Sequence, residues 1–159
     1  MNNAKSYNAG KRNESDSWST MRQHGFVRPT PQQRKNLVEA YARVGKEVRA
    51  KGFDLIKESD SKTIGNPDQL AEAVDNITLF ELKTAGKERK SIVKENWSGL
   101  GFTLTGAEKH NAEVLKDNFK FLNLKNGALR ECKLDDFFSS GAANTYPTWS
   151  VFITKGLTS

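Results

Sequence analysis

A chain of 159 residues is the size of one domain and can bury a core without disulfides; Lys and Arg number 25 against 19 Asp and Glu, so the surface bias is positive and favours polyanions. The single cysteine, Cys132, excludes an internal bridge, and no apolar run approaches the roughly 18 to 20 residues of a membrane span. The opening "MNNAKSYNAGKRNESDSW" lacks the apolar centre of a signal peptide, so a soluble, cytoplasmic protein without a membrane partner is expected.

Residues 1–25 are rich in Asn, Ser, Gly and charge and read as a flexible arm; residues 26–159 read as one domain. "TPQQRKNLVEAYARVGKEVRAKG" starts a helix with Thr30 as N-cap, Pro31 at the first position and Gln33 three residues after the cap. Leu37, Tyr41, Val44 and Val48 make its apolar stripe, and Gly52 is its expected end. "FDLIKESD" reads as a short strand and "SKTIGNP" as a loop. "GNPDQLAEAVDNITLFELKTAG" alternates as a hairpin would, with Asp75 and Asn76 as its turn. After a basic connector, "LGFTLT" reads as a strand and Thr105 with Glu108 as a capping box opening a second helix. "FKFLNL", Asn126-Gly127 and "ALRECKL" make a second hairpin, and "TWSVFIT" a final strand. The order predicts an α/β domain with a mixed central sheet flanked by helices.

The first hairpin carries the chemistry. With Asp75 and Asn76 as turn, residues whose numbers sum to 151 pair, so Asp68 faces Lys83 and lies diagonal to Glu81 on one face. Such neighbours are roughly 5 to 8 Å apart, close enough for two carboxylates to share a hard cation. Two carboxylates and a backbone carbonyl suit Mg²⁺, whose bound water can attack a phosphodiester, while Lys83 orients that water or offsets charge on the phosphate. An ordinary amphipathic hairpin with a wet polar face accounts for the same alternation, because a bare E-x-K tripeptide is common.

At these residues the chain resembles the PD-(D/E)xK nuclease superfamily of restriction endonucleases, junction resolvases and mismatch-repair nicking enzymes. The resemblance rests on Pro67-Asp68, twelve intervening residues and Glu81-Leu82-Lys83, preceded by "VRAKGFDLIKESDS". It implies a restriction-endonuclease-like sheet, Asp68, Glu81 and the Leu82 carbonyl as ligands of Mg²⁺ (Mn²⁺ as substitute), and Lys83 as catalytic lysine. The family often adds a glutamate from the first helix, for which Glu39 and Glu47 are both open. Asp75 rivals Asp68 as first acid, but on a straight strand it is about 20 Å from Glu81, at roughly 3.3 Å per residue.

Five of the twelve residues from Lys83 to Lys94 are basic, and Lys87, Arg89 and Lys90 are candidate phosphate contacts unless this is simply a solvated charged loop. His24 and His110 lack partners at metal or triad spacing, Cys132 reads as a small buried hydrophobe, and no Walker, dinucleotide or zinc motif occurs. The expected function is a Mg²⁺-dependent DNA endonuclease, restriction-type or otherwise selective for a site or structure, acting on duplex or branched DNA, with cleavage of both strands implying a homodimer or repeated binding. The competing expectations are a non-catalytic nucleic-acid-binding or interaction domain, and a junction resolvase or RNA-directed nuclease of the same fold.

Overall fold

The computed structural model describes residues 17–84, 100–125 and 127–138. Helix α1, residues 17–23, leads into strand β1 (Phe26–Val27), which pairs antiparallel with β2 (Ile56–Lys57). Met21 is fully buried and packs with Phe26, Leu55, Phe80 and Leu122, so this side chain ties α1 to the core, while Arg22, Gln23 and His24 are exposed. Residues 1–16 lie outside the described residues.

Helix α2, Pro31–Arg43, has the expected start: Gln33 N–H donates to Thr30 Oγ1 (3.1 Å) and Thr30 N–H to Gln33 Oε1 (2.9 Å). It ends at Arg43 rather than Gly52. Gly45 takes φ +77°, its N–H donates to the Ala42 carbonyl, and Lys46 N–H donates to the Tyr41 carbonyl. That left-handed stop satisfies the last carbonyls of the helix. Val44 is consequently exposed, and Val48 reaches the core only after the chain has turned.

The expected first hairpin does not form. Residues Ser61–Ile64 make helix α3 and Pro67–Ala73 helix α4, continued by a 3₁₀ turn at Val74–Asn76. Asn66 caps α4 by accepting from the Asp68 and Gln69 N–H groups, and Pro67 sits at the first helical position. Leu70, Val74 and Ile77 are the buried residues of the stretch, at helical spacing rather than period two. Asp75 and Asn76 are therefore no hairpin turn; Asp75 pairs with Lys46 at 2.9 Å.

Strand β3 (Leu79–Leu82) pairs parallel with β4 (Phe119–Lys125), so the chain must cross over between them, and helix α5 (Gly106–Leu115) lies in that connection. β4 and β5 (Ala128–Cys132) form the second hairpin as expected, with Lys125 paired to Ala128 and Gly127 at φ +77°; Asn126 lies outside the described residues. Helix α6 is Leu134–Phe138. Residues 100–105, expected as a strand, pair with no strand among the described residues; Phe102 instead stacks near Phe121 and Phe137. The closing "TWSVFIT" lies outside the described residues. The fold class is thus mixed helix and sheet, with a small three-stranded mixed sheet at its centre.

Both faces of that sheet are covered. Leu79, Phe119 and Phe121 join the larger cluster with Leu37, Tyr41, Leu70, Ala112 and Leu115, while Phe80 and Leu122 face Met21 and Phe26. Strand alternation then directs Glu81 and Lys83 to the face of Leu79, under α5.

Gly52 marks where the loop from α2 touches α5. A Cβ there would sit 2.5 Å from the Ala107 carbonyl oxygen and 2.5 Å from the Asn111 amide nitrogen. Gly52→Ala should destabilise by about 1–3 kcal/mol, read as a lower urea midpoint with unchanged slope, because helix backbone cannot move aside cheaply. A midpoint equal to wild type would mean that this approach is looser than described.

Candidate active site

Phe80 anchors the segment that precedes β2. Its carbonyl accepts from both Asp54 N–H (2.8 Å) and Leu55 N–H (3.0 Å), and its own N–H donates to Leu55 O (3.0 Å). Two successive donors on one carbonyl are the pattern of a β-bulge, which re-aims side chains near a strand edge. The Asp54 side chain uses this: its Oδ2 accepts from Leu82 N–H at 3.1 Å, so a carboxylate occupies the edge of β3 where a further strand would sit. In a strand the carbonyl of a residue points to the same edge as its N–H, which sets the Leu82 carbonyl beside Asp54.

Glu81 and Lys83 are both only 7% exposed, and Glu108 is 6% exposed. Lys83 Nζ donates to Glu108 Oε2 (2.7 Å), Glu81 Oε1 (3.1 Å) and the Thr103 carbonyl (3.0 Å), which fills all three donors of an ammonium. The Phe102 ring lies 5.5 Å from the same nitrogen. Glu108 comes from the first turn of α5, where it closes the expected capping box: Thr105 N–H donates to Glu108 Oε2 at 3.0 Å and Glu108 N–H to Thr105 Oγ1 at 3.2 Å. From the other side Asn123 Nδ2 donates to the Lys83 carbonyl at 2.7 Å, and Arg130 donates to the Asn123 side-chain oxygen Oδ1.

The two glutamates titrate in opposite directions. Burial, then the nearby Asp54 carboxylate, pushes Glu81 up to about 9, against the pull of Lys83. Burial also opposes ionisation of Glu108, but hydrogen bonds from Lys83 and from the Thr105 backbone outweigh it and hold that carboxyl below its ordinary value. Ionisation is thus disfavoured at Glu81 and favoured at Glu108, whose oxygen lies nearer the Lys83 nitrogen. Arg34 of α2 stands behind Asp54. It donates to the Phe53 carbonyl at 2.6 Å and stacks 4.3 Å over the Phe53 ring; burial lowers its pKa and Asp54 opposes that shift.

Of the residues chosen from the sequence, Glu81, Leu82 and Lys83 are brought together and Asp68 is not. Asp68 is exposed in the first turn of α4, because Asn66-Pro67 starts a helix there. The carboxylates that do neighbour Glu81 are Asp54 and Glu108. Glu39 is exposed and pairs with Lys35 (3.8 Å), and Glu47 lies past the end of α2, so neither joins the cluster. Lys87, Arg89 and Lys90 lie outside the described residues. His24 and His110 each contact a backbone carbonyl, of Gly127 and Glu47, and burial pushes the Cys132 thiol up to about 12, away from reactivity. Asp54 could have been found by pairing "GFDLI" with "LFELK" antiparallel, and Glu108 by asking what else its capping position could reach.

Among the described residues no group of three or more His, Cys, Asp or Glu side chains is arranged to hold a metal ion, and no helix there is long and apolar enough to cross a membrane. Comparison with protein-family models gives no match, and comparison with curated proteins and with solved structures gives none that is significant.

Glu81 makes stability depend on pH with a definite sign. The unfolded chain releases this proton near 4.5 and the folded chain only near 9, so its contribution declines as pH rises between those values. Glu81→Gln retains an acceptor for Lys83 and an amide donor in place of the proton. The stability of Glu81→Gln relative to wild type should therefore increase steadily across that window in chemical denaturation. A difference that stays constant with pH would show Glu81 to be ionised in the folded protein.

Proposed function

We propose that the protein is a Mg²⁺-dependent endonuclease that hydrolyses phosphodiester bonds of duplex or branched DNA, with a core of the restriction-endonuclease type. The observation that carries this reading is the Asp54 carboxylate at the β3 edge, next to Glu81 and the Leu82 carbonyl, with the Lys83 ammonium two residues on from Glu81. These donors are all oxygen; with the Glu81 proton displaced as a cation binds, two carboxylates and a backbone carbonyl would fit an ion that keeps several waters. Asp54, Glu81 and Leu82 would hold it; when bound, Mg²⁺ supplies an activated water and Lewis acidity toward the phosphate. In this reading Asp54 takes the part expected of Asp68.

The remaining roles belong to the chain itself. Lys83 presents a fixed positive charge to the phosphate oxygens, and its proton is held at Nζ by Glu81 and Glu108. Arg34 offsets the charge of Asp54 and keeps the Phe53–Asp54 segment against α2. The net charge of +6 favours approach to a polyanion. Cutting both strands of a duplex calls for two such centres, hence a homodimer or repeated binding.

A second reading is a non-catalytic nucleic-acid-binding domain in which the same groups only stabilise the fold. What favours it is the saturation of Lys83, whose three donors are all taken by protein acceptors.

Nicking of supercoiled plasmid with and without Mg²⁺ separates the two. Wild type should nick only with the metal; Asp54→Asn and Lys83→Met should each lose about 100-fold or more, on the scale of a removed charge-stabilising group, and Asp68→Ala should stay within about twofold of wild type. Loss in Asp68→Ala with retention in Asp54→Asn would overturn the assignment. Absence of metal-dependent cleavage and of Mg²⁺ binding on every DNA and RNA form would favour the binding domain.

A further inference from the structure

We propose that Glu108 is the positioning residue for the Lys83 ammonium, and that the first turn of α5 is thereby part of the catalytic apparatus; this rests on the nuclease reading above. Lys83 follows the last residue of β3 and carries a long, flexible side chain that needs external contacts to fix its end. Glu81 is on the same strand and is reserved in that reading for the metal. The two contacts that come from elsewhere are the Thr103 carbonyl and Glu108, and the latter is the shortest of the three at 2.7 Å.

The Glu108 carboxylate accepts from the Thr105 backbone N–H, whereas the Thr105 hydroxyl only caps the Glu108 N–H, and a carboxylate in the first turn of a helix is further favoured by the helix dipole. The helix that carries it is locked to the other half of the site. Asn111, fully buried one turn on, accepts from Arg49 N–H at 2.8 Å and donates to the Arg49 carbonyl at 2.9 Å. Ala107 lies against Gly52, and the segment these contacts pin runs straight into Asp54. One helix thus sets the distance between the lysine and the first carboxylate, which a general capping role does not require.

The test compares wild type with Glu108→Gln, Glu108→Ala and Thr105→Ala in Mg²⁺-dependent nicking, together with acylation of Lys83 by an amine-reactive reagent mapped by mass spectrometry. Glu108→Ala should lower kcat about 10- to 100-fold, the range for groups that orient a reacting residue, with KM for DNA within about twofold, and should expose Lys83 to the reagent. Glu108→Gln, which keeps an acceptor and the cap, should recover most of the lost rate and the protection. Thr105→Ala should lower the Tm yet keep kcat within about threefold and Lys83 protected. Unchanged kcat and protection in a folded Glu108→Ala, or an equal loss of kcat in Thr105→Ala, would overturn the positioning role while wild type still cuts. A wild type that neither cuts nor binds Mg²⁺ would instead remove the nuclease reading and this role with it.

Discussion

Burying the Lys83 ammonium is the constraint on which the rest of the site depends. An unpaired ammonium in a protein interior costs several kcal/mol, so a lysine 7% exposed must be met by acceptors for each of its donors. Glu81 comes from its own strand, Thr103 from the loop before α5, and Glu108 from the helix itself. A second carboxylate in that space is tolerable only if one of the two is neutral. Burial, then the nearby Asp54 carboxylate, favours the proton on Glu81, while hydrogen bonds from Lys83 and the Thr105 backbone favour the ionised form of Glu108.

The same constraint explains how the crossover is built. β3 and β4 are parallel, so the connection between them has to pass over one sheet face, and α5 packs there through Ala112 and Leu115. Its N-terminal turn then arrives above the polar end of β3, where Leu79 and Phe119 give way to Glu81, Lys83 and Asn123. The apolar part of the interface stabilises the packing, and the polar end specifies its register, since a shifted helix would leave Lys83 and Glu108 buried without partners.

Much of this was readable from residue order, and the failures have physical causes. Both capping boxes and the Asn126-Gly127 hairpin were legible because each is a local signal that local geometry obeys. The end of α2 was expected at Gly52, whereas Gly45 is its left-handed stop. In "NPDQLAEAVDNI" the alternation of polar and apolar residues fits period two and period 3.6 alike over a short stretch, and Asn66-Pro67 decided for helix. That choice removed Asp68 from the strand. The E-x-K strand itself was found, but its partner was not: Asp54 reaches Leu82 through a bulge joining segments far apart in the chain, which no local pattern announces. Glu108 was identified as a cap and not as a lysine partner, because only the crossover brings it to β3.

A cation site formed by Asp54, Glu81 and the Leu82 carbonyl, as proposed, is open to anomalous diffraction from crystals soaked in Mn²⁺. One peak is expected within about 2.5 Å of oxygens from Asp54, Glu81 and the Leu82 carbonyl. A peak at Asp68 instead, or none at the β3 edge while Lys83 still bridges both glutamates, would contradict it.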